Sequence, residues 1–348
     1  MSFYDLKDFD DHEHVSFCRD PESNLTAIIA VHSTALGPAV GGCRMWNYDS
    51  DTAAITDALR LSRGMTYKNA MAGLNFGGGK AVIMADSRTD KTPELFKSFG
   101  QFMNRLNGSY ITAEDVGIDT SDMAIVNTVT DHVSGLEGKS GDPSPLTARG
   151  TWQGIKAAVK HHLGRDDLSG LKIAVQGVGH VGYYLCELLH NDGVELVVSD
   201  VNQDSLDRVQ SEFNATVVSV NDIYDAEVDV YSPCALGATI NDQTLDRLKC
   251  KVVAGAANNQ LAEDHHGQAL LDRGILYSPD YVINAGGIIN ISLESGDYSR
   301  DLAEEKVDNI YNTLTEIFSR SSSEGRPTNV IADEMAREII NNAKQAKS

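Results

Sequence analysis

The rhythm of apolar and polar positions changes once along the chain, near its middle. From residue 25 to 48, LTAIIAVHSTALGPAVGGCRMWNY is apolar and β-branched, broken by Gly-Pro, and predicts two short strands about a turn. The next stretch, DSDTAAITDALRLSRGMTYKNAMAG, opens with capping-type residues and sets Ala54, Ala58, Leu61 and Met65 at helical spacing before a closing glycine. Further on, AVIMA predicts a strand, TPELFKSFGQFMNRL a helix, and SYITAEDVGI a strand running into a loop. Strands and helices thus mix in one block that ends near residue 135.

GKSGDPSPLTARG, residues 138–150, is the most loop-like stretch and reads as a linker, with a helix, TARGTWQGIKAAVKHHL, emerging from it. Strict alternation follows: KIAVQGVG, a helix, VELVVSD, a helix, and apolar segments at 228–234, KVVAGAANN and GILYSPDYVINAGG. Apolar strands separated by helices predict a parallel, doubly wound sheet. Amphipathic helices begin at about residue 301. The fold class expected is α/β in two domains: an N-terminal mixed-sheet catalytic domain, 1–137, and a Rossmann-type doubly wound domain, 138–324.

Composition narrows the function. The chain has 348 residues, 41% hydrophobic and 23% charged, as in globular proteins. No apolar run reaches 18 residues, so no membrane span is expected, and MSFYDLKDFDDHEHV lacks the basic and apolar regions of a secretory signal. Five scattered cysteines without a C-x-x-C exclude a zinc ribbon and fit a reducing cytoplasm. A formal charge of −21 repels nucleic acid and anionic lipid. The short histidine pairs His12/His14, His161/His162 and His265/His266 read as surface residues, and no metal site is expected.

The strongest local signal is Gly177-x-Gly179-x-x-Gly182, preceded by a strand and followed by a helix, with Asp200 ending the next strand. Gly177 permits a tight turn, Gly179 lets backbone approach a pyrophosphate, and Gly182 lets the helix pack close with its positive end toward the phosphates. Asp200 suits ribose hydroxyls and repels a 2′-phosphate, so NAD is expected over NADP. Another glycine run, GLNFGGGKAVIMA, is not a phosphate loop, because Leu74 and Ala81 stand where Gly and Ser/Thr are required. Its glycines suggest room for substrate and nicotinamide beside Lys80 at a strand start. Burial and a neighbouring cation such as Lys68 would turn that amine into a base. A lysine in a loop is more often a solvated charge, and Asp115 reads either as a proton carrier or as a helix cap. Cys43 reads as an inert small residue.

The runs GPAVGGCRMW, DALRLSRGMTYKNAMAGLNFGGGKAVI and YITAEDVG resemble the amino-acid dehydrogenase superfamily that acts on Glu, Leu, Phe and Val. GDPSPLTARG, VQGVGHVG, CALGATIND, GAANNQLAE and PDYVINAGGIIN extend the resemblance over nearly the whole chain, closest to the leucine-acting branch. The resemblance implies reversible NAD-dependent oxidative deamination of an L-amino acid to its 2-oxo acid and ammonium, in the cleft between domains. It makes Lys80 the base, Lys68 the partner of the substrate carboxylate and Asp115 the proton relay. Val40, Ala113, Ile288 and Ile291 would form the side-chain pocket, with Gly41, Met65 and Asn258 also on the substrate. The cofactor would meet Gly177, Val178, Gly179, His180, Val181, Gly182, Asp200, Val201, Cys234, Ala235 and Asn284. An apolar pocket leaves a γ-carboxylate unpaired, so glutamate is disfavoured, and a branched-chain substrate, leucine first, is expected. Phenylalanine- or valine-preferring relatives are the alternative, and a non-catalytic NAD-binding sensor is the rival class. A cytoplasmic homo-oligomer is expected, with the C-terminal helix, about 325–348, returning to the first domain.

Overall fold

The computed structural model describes residues 3–6, 8–136, 141–295 and 298–347. The chain divides into two compact units, residues 1–141 with 336–348 and residues 142–335.

The first unit is built on six strands: β1 (His14–Asp20), β2 (Leu25–Ser33), β3 (Ala39–Val40), β4 (Cys43–Trp46), β5 (Gly77–Met84) and β6 (Tyr110–Ile111). They form one mixed sheet in the order β1-β2-β5-β3-β6, with β4 also paired to β5. Successive strand residues face opposite sides. Ile28, Ala30 and Val82 pack against Ala54, Ala58 and Leu59 of α1 (Asp51–Met71). Ala27, Ile29, Ala81 and Ile83 meet Leu95, Phe96 and Phe99 of α2 (Pro93–Asn104), together with Met123 and Val126 of α3 (Thr120–Asn127). Because both faces are covered, β2 reads as a continuous apolar run.

Three local expectations need correction. The 25–48 stretch holds three strands, not two. The glycines of GGGKAVIM belong to β5, so Lys80 lies mid-strand rather than at its start. Nor do those glycines leave room for a ligand. A Cβ on Gly78 would stand 2.1 Å from the Thr66 amide nitrogen of α1, and one on Gly79 would stand 2.6 Å from the Tyr110 ring. Close packing of the protein on itself demands them.

The second unit carries β7 (Lys172–Gln176), β8 (Glu195–Ser199), β9 (Thr216–Val217), β10 (Val230–Pro233), β11 (Val252–Val253) and β12 (Leu276–Tyr277). All pairs are parallel, in the order β12-β11-β10-β7-β8-β9. Strand order reverses between β7 and β10, the switch point where open α/β sheets bind ligands. Its helices are α4 (Ser144–Leu163), α5 (His180–Asn191), α6 (Gln203–Phe213), α7 (His265–Asp272), α8 (Asp280–Ile283), α9 (Gly286–Ser292), α10 (Arg300–Asp308) and α11 (Ile310–Glu324).

Helix α4 starts at Ser144, inside the stretch read as linker, while 138–140 lie outside the described residues. GILYSPDYVINAGG supplies only the short β12 before turning into α8 and α9. The last helix, α12 (Thr328–Lys347), belongs to the second unit up to Met335 and to the first from Ala336, so the returning segment is shorter than 325–348.

Candidate active site

In the first unit, β3 and β4 run beside β5 as one line interrupted at Gly41 and Gly42. Lys80 stands opposite that break and is 5% exposed. Gly42 has no space for a side chain, since a Cβ there would lie 2.5 Å from Glu114 O and 2.8 Å from Asp115 Cβ. The loop after β6 therefore presses onto the break and delivers Asp115, whose Oδ2 is 2.9 Å from Lys80 Nζ. A turn closed by the Ile118 amide on Asp115 O, 2.9 Å, holds the loop. The cap of α3 is Asp119, which accepts from the Ser121 and Asp122 amides, so Asp115 is released from that duty.

Burial pushes the Lys80 amine below its ordinary range; the Asp115 carboxylate opposes this and a nearby Arg44 reinforces it. Burial alone would raise Asp115, but Lys80 and Arg44 outweigh it and hold the carboxyl below the usual carboxylate range. Arg44, which sequence reasoning passed over, is thus a cation that acts beside Lys80. Lys68 lies on α1, half-buried. Around the break, the Tyr110 hydroxyl donates to Gly41 O at 2.6 Å, and Met65 Cγ would be 3.2 Å from a Cβ on Gly41. Val40 is buried, Met65 and Ala113 half-buried, and Ala113 O accepts from the Cys43 amide at 2.8 Å. Burial pushes the Cys43 thiol far up, which makes it inert.

In the second unit, Gly177 follows β7 with φ +94°. A Cβ on Gly177 would stand 2.5 Å from Ala235 Cβ, and one on Gly182 only 2.0 Å from Gly177 O. Gly179 differs: a Cβ there would meet nothing within 4 Å. Packing explains the first and third glycines but not the second. Gly179 also precedes α5 without a side-chain cap, so the helix offers backbone N–H groups to an anion. These residues fit a dinucleotide pyrophosphate.

Asp200 accepts the Val178 amide at 2.7 Å through Oδ2 and the Asn202 amide at 2.9 Å through Oδ1, tying the glycine loop to the end of β8. Val178 is buried, so only its backbone is near the loop surface, whereas His180 and Val201 are exposed and Val181 is half-buried. The Cys234 amide donates to Gln176 O at 2.7 Å, which sets Cys234 and Ala235 beside the loop. The Asn284 side chain donates through Nδ2 to Asn258 Oδ1 at 2.7 Å and to Ala256 O at 3.0 Å, bringing Asn284 and Asn258 together. Ile288 and Ile291 share one half-buried face of α9.

Two histidines expected on the surface are buried. His12 Nε2 lies 3.0 Å from Leu59 O, and His266 Nε2 lies 3.1 Å from Asp242 Oδ1. Asp242, His265 and His266 have ligand-type atoms within 4.8 Å of one another, an arrangement that a plain His266–Asp242 hydrogen bond already explains. Among the described residues no helix is long and apolar enough to cross a membrane.

Residues 12–132 match the family model described as Glu/Leu/Phe/Val dehydrogenase, dimerisation domain, and residues 198–344 that described as Glutamate/Leucine/Phenylalanine/Valine dehydrogenase. The leucine dehydrogenase of Bacillus cereus is 53% identical over 341 residues, which cover 97% of this chain and 93% of the relative. That of Thermoactinomyces intermedius is 52% identical over 351 residues, covering 100% and 96%. The crystal structure of L-tryptophan dehydrogenase from Nostoc punctiforme is similar with a TM-score of 0.86 at 45% identity, covering 96% of this chain and 97% of that one.

Proposed function

The chain belongs to the Glu/Leu/Phe/Val dehydrogenase family, and from that premise we propose that it carries out the reversible, NAD-dependent oxidative deamination of a branched-chain L-amino acid, leucine foremost, to the 2-oxo acid and ammonium. The observation that carries this reading is an amine almost out of water and paired to one carboxylate: Lys80 on Asp115 at 2.9 Å. Burial favours the neutral amine, which can take a proton from the water that attacks the substrate iminium carbon. Asp115, ionised, receives and returns the proton of the substrate amine. Lys68 pairs with the substrate carboxylate. A bound nicotinamide supplies the hydride acceptor.

Gly179 and the N-terminus of α5 would hold the pyrophosphate, with His180 and Val181 at the helix start and Cys234 and Ala235 beside the loop. Asp200 would take the ribose hydroxyls and repel a 2′-phosphate, which supports NAD over NADP. The bonded pair Asn258 and Asn284 would orient substrate and nicotinamide. Val40, Gly41, Met65 and Ala113 in the first unit, and Ile288 and Ile291 in the second, carry no charged or hydrogen-bonding side chain, which would leave a glutamate side chain unpaired. Two leucine dehydrogenases at 52–53% identity support leucine. The tryptophan dehydrogenase at 45% identity supports an aromatic substrate as the second reading. The first matched region is described as a dimerisation domain, which supports a homo-oligomer.

A panel of Leu, Ile, Val, Phe, Trp and Glu, each with NAD and with NADP, tests the reading. The expected outcome is highest kcat/KM for Leu, Ile and Val with NAD, and a drop of at least about tenfold with NADP. An aromatic amino acid or glutamate in first place overturns the substrate assignment; no NADH from any of the six overturns the activity.

A further inference from the structure

The reading of Lys80 and Asp115 as base and relay leaves Arg44 without a task. Its guanidinium stands in β4 between two carboxylates. Nε donates to Asp115 Oδ2 at 2.9 Å and a terminal nitrogen donates to Asp57 Oδ2 at 2.9 Å. That Asp115 oxygen is the one 2.9 Å from Lys80 Nζ, so one carboxylate oxygen is shared between two cations. Asp57, on α1, is itself fixed by the Tyr48 hydroxyl at 2.7 Å and by Arg60 at 3.1 Å. Arg44 is therefore braced from both ends in a largely buried position, with a side chain 22% exposed.

We propose that Arg44 is a positioning residue for the reaction: it fixes the Asp115 carboxylate and supplies the permanent positive charge beside Lys80 that keeps the amine available as a base. The inference rests on the function proposed above. An unopposed carboxylate at hydrogen-bonding distance would lock Lys80 as an ammonium. Sharing Asp115 with Arg44 divides that pull, and the guanidinium, which does not lose its proton in proteins, repels a second positive charge. Among the described interactions, the charged and titratable groups that act on Lys80 include Asp115 from the loop after β6 and Arg44 and Cys43 from β4. Around the far end of Arg44 they are Asp57 and Tyr48, with Arg60 beyond. Burial pushes the Cys43 thiol and the Tyr48 and Tyr110 hydroxyls up, so none of them adds a charge near neutrality. The Arg44 charge is then set against Asp57 on one side and Asp115 on the other.

Two variants with opposite expected signs test it, through the pH profile of kcat/KM for leucine and NAD. In Arg44→Gln, loss of the cation favours the Lys80 ammonium, so the acid limb moves up by about one pH unit or more. Turnover near pH 8 then drops about tenfold or more and largely recovers at higher pH. Arg44→Lys keeps the charge and holds the limb near its parent position. In Asp57→Asn the Arg44 charge loses its counterweight, and the limb moves down. Thermal midpoint and NADH affinity serve as controls for an intact fold. A limb unmoved in Arg44→Gln, or an unmoved or raised limb in Asp57→Asn, overturns the inference; the second variant decides if the first does not fold. A Lys80→Ala enzyme that turns over with the parent limb would instead remove the underlying reading, and this one with it.

Discussion

At Gly78 and Gly179 the same residue type answers two different demands. A Cβ on Gly78 would push into the backbone of α1 at Thr66, whereas one on Gly179 would enter open space. Gly78→Ala is expected to cost about 1–3 kcal/mol through overpacking, read as a lower urea midpoint with unchanged slope. Gly179→Ala should leave that midpoint in place and, with the pyrophosphate held as proposed, weaken NADH binding about tenfold or more, measured by fluorescence titration, because the added methyl would stand where phosphate oxygens approach. Equal loss of stability in both variants would erase the distinction. Both glycines were visible as motif positions. Which one packing demands was not, because that depends on what lies 2–4 Å from an absent atom.

Among elements, the broken strand pair beside β5 sets the geometry of the candidate site. β3 pairs with Gly77 and Gly78, β4 pairs with residues 81–84, and the break between them faces Lys80. Gly42 lets the 113–115 loop sit on that break. Gly42→Ala is expected to lift the loop and with it Asp115, lowering kcat by about a hundredfold with little change in NADH affinity. An unchanged kcat would show that the loop tolerates displacement. The long helix α1 and five of the six parallel strands of the second unit were legible in the patterning, while the two-residue β9 was not read. Helix α8, with four residues, lies inside the run read as a strand segment, because an apolar run that short carries no distinguishable period.

At the scale of the whole molecule, stability should carry a pH signature from two buried histidines. The rings of His12 and His32 are 4.9 Å apart, and His32 Nδ1 is 2.8 Å from Thr66 Oγ1. Burial is the main cause that lowers both, His32 to about 4, while neighbouring Asp10 pulls the other way. Folding thus favours the neutral rings, and the unfolded chain binds protons that the native state refuses. Stability from this source is complete above the unfolded value of about 6.5 and drains as pH falls below it toward the lowered native values. The expected result is a melting temperature that declines between pH 6.5 and 4.5, with a shallower decline in His32→Gln. An identical slope in that variant would assign the acid sensitivity to other groups. The paired spelling of His12 and His14 suggested surface residues, since adjacency along the chain says nothing of the core that folds over one of them.

Local and periodic properties were settled by the chain alone. The α/β class, the parallel second half and the family follow from strand and helix periods and from long ordered motifs, which need no knowledge of distant neighbours. Tertiary structure decided what depends on atoms far apart in sequence. It joined Arg44 to Asp57 and Asp115, filled the space at Gly78 and Gly79 with the protein itself, and drew His12 and His266 inside. Charge and contact act across ångströms of space, and only the folded chain determines which residues share them.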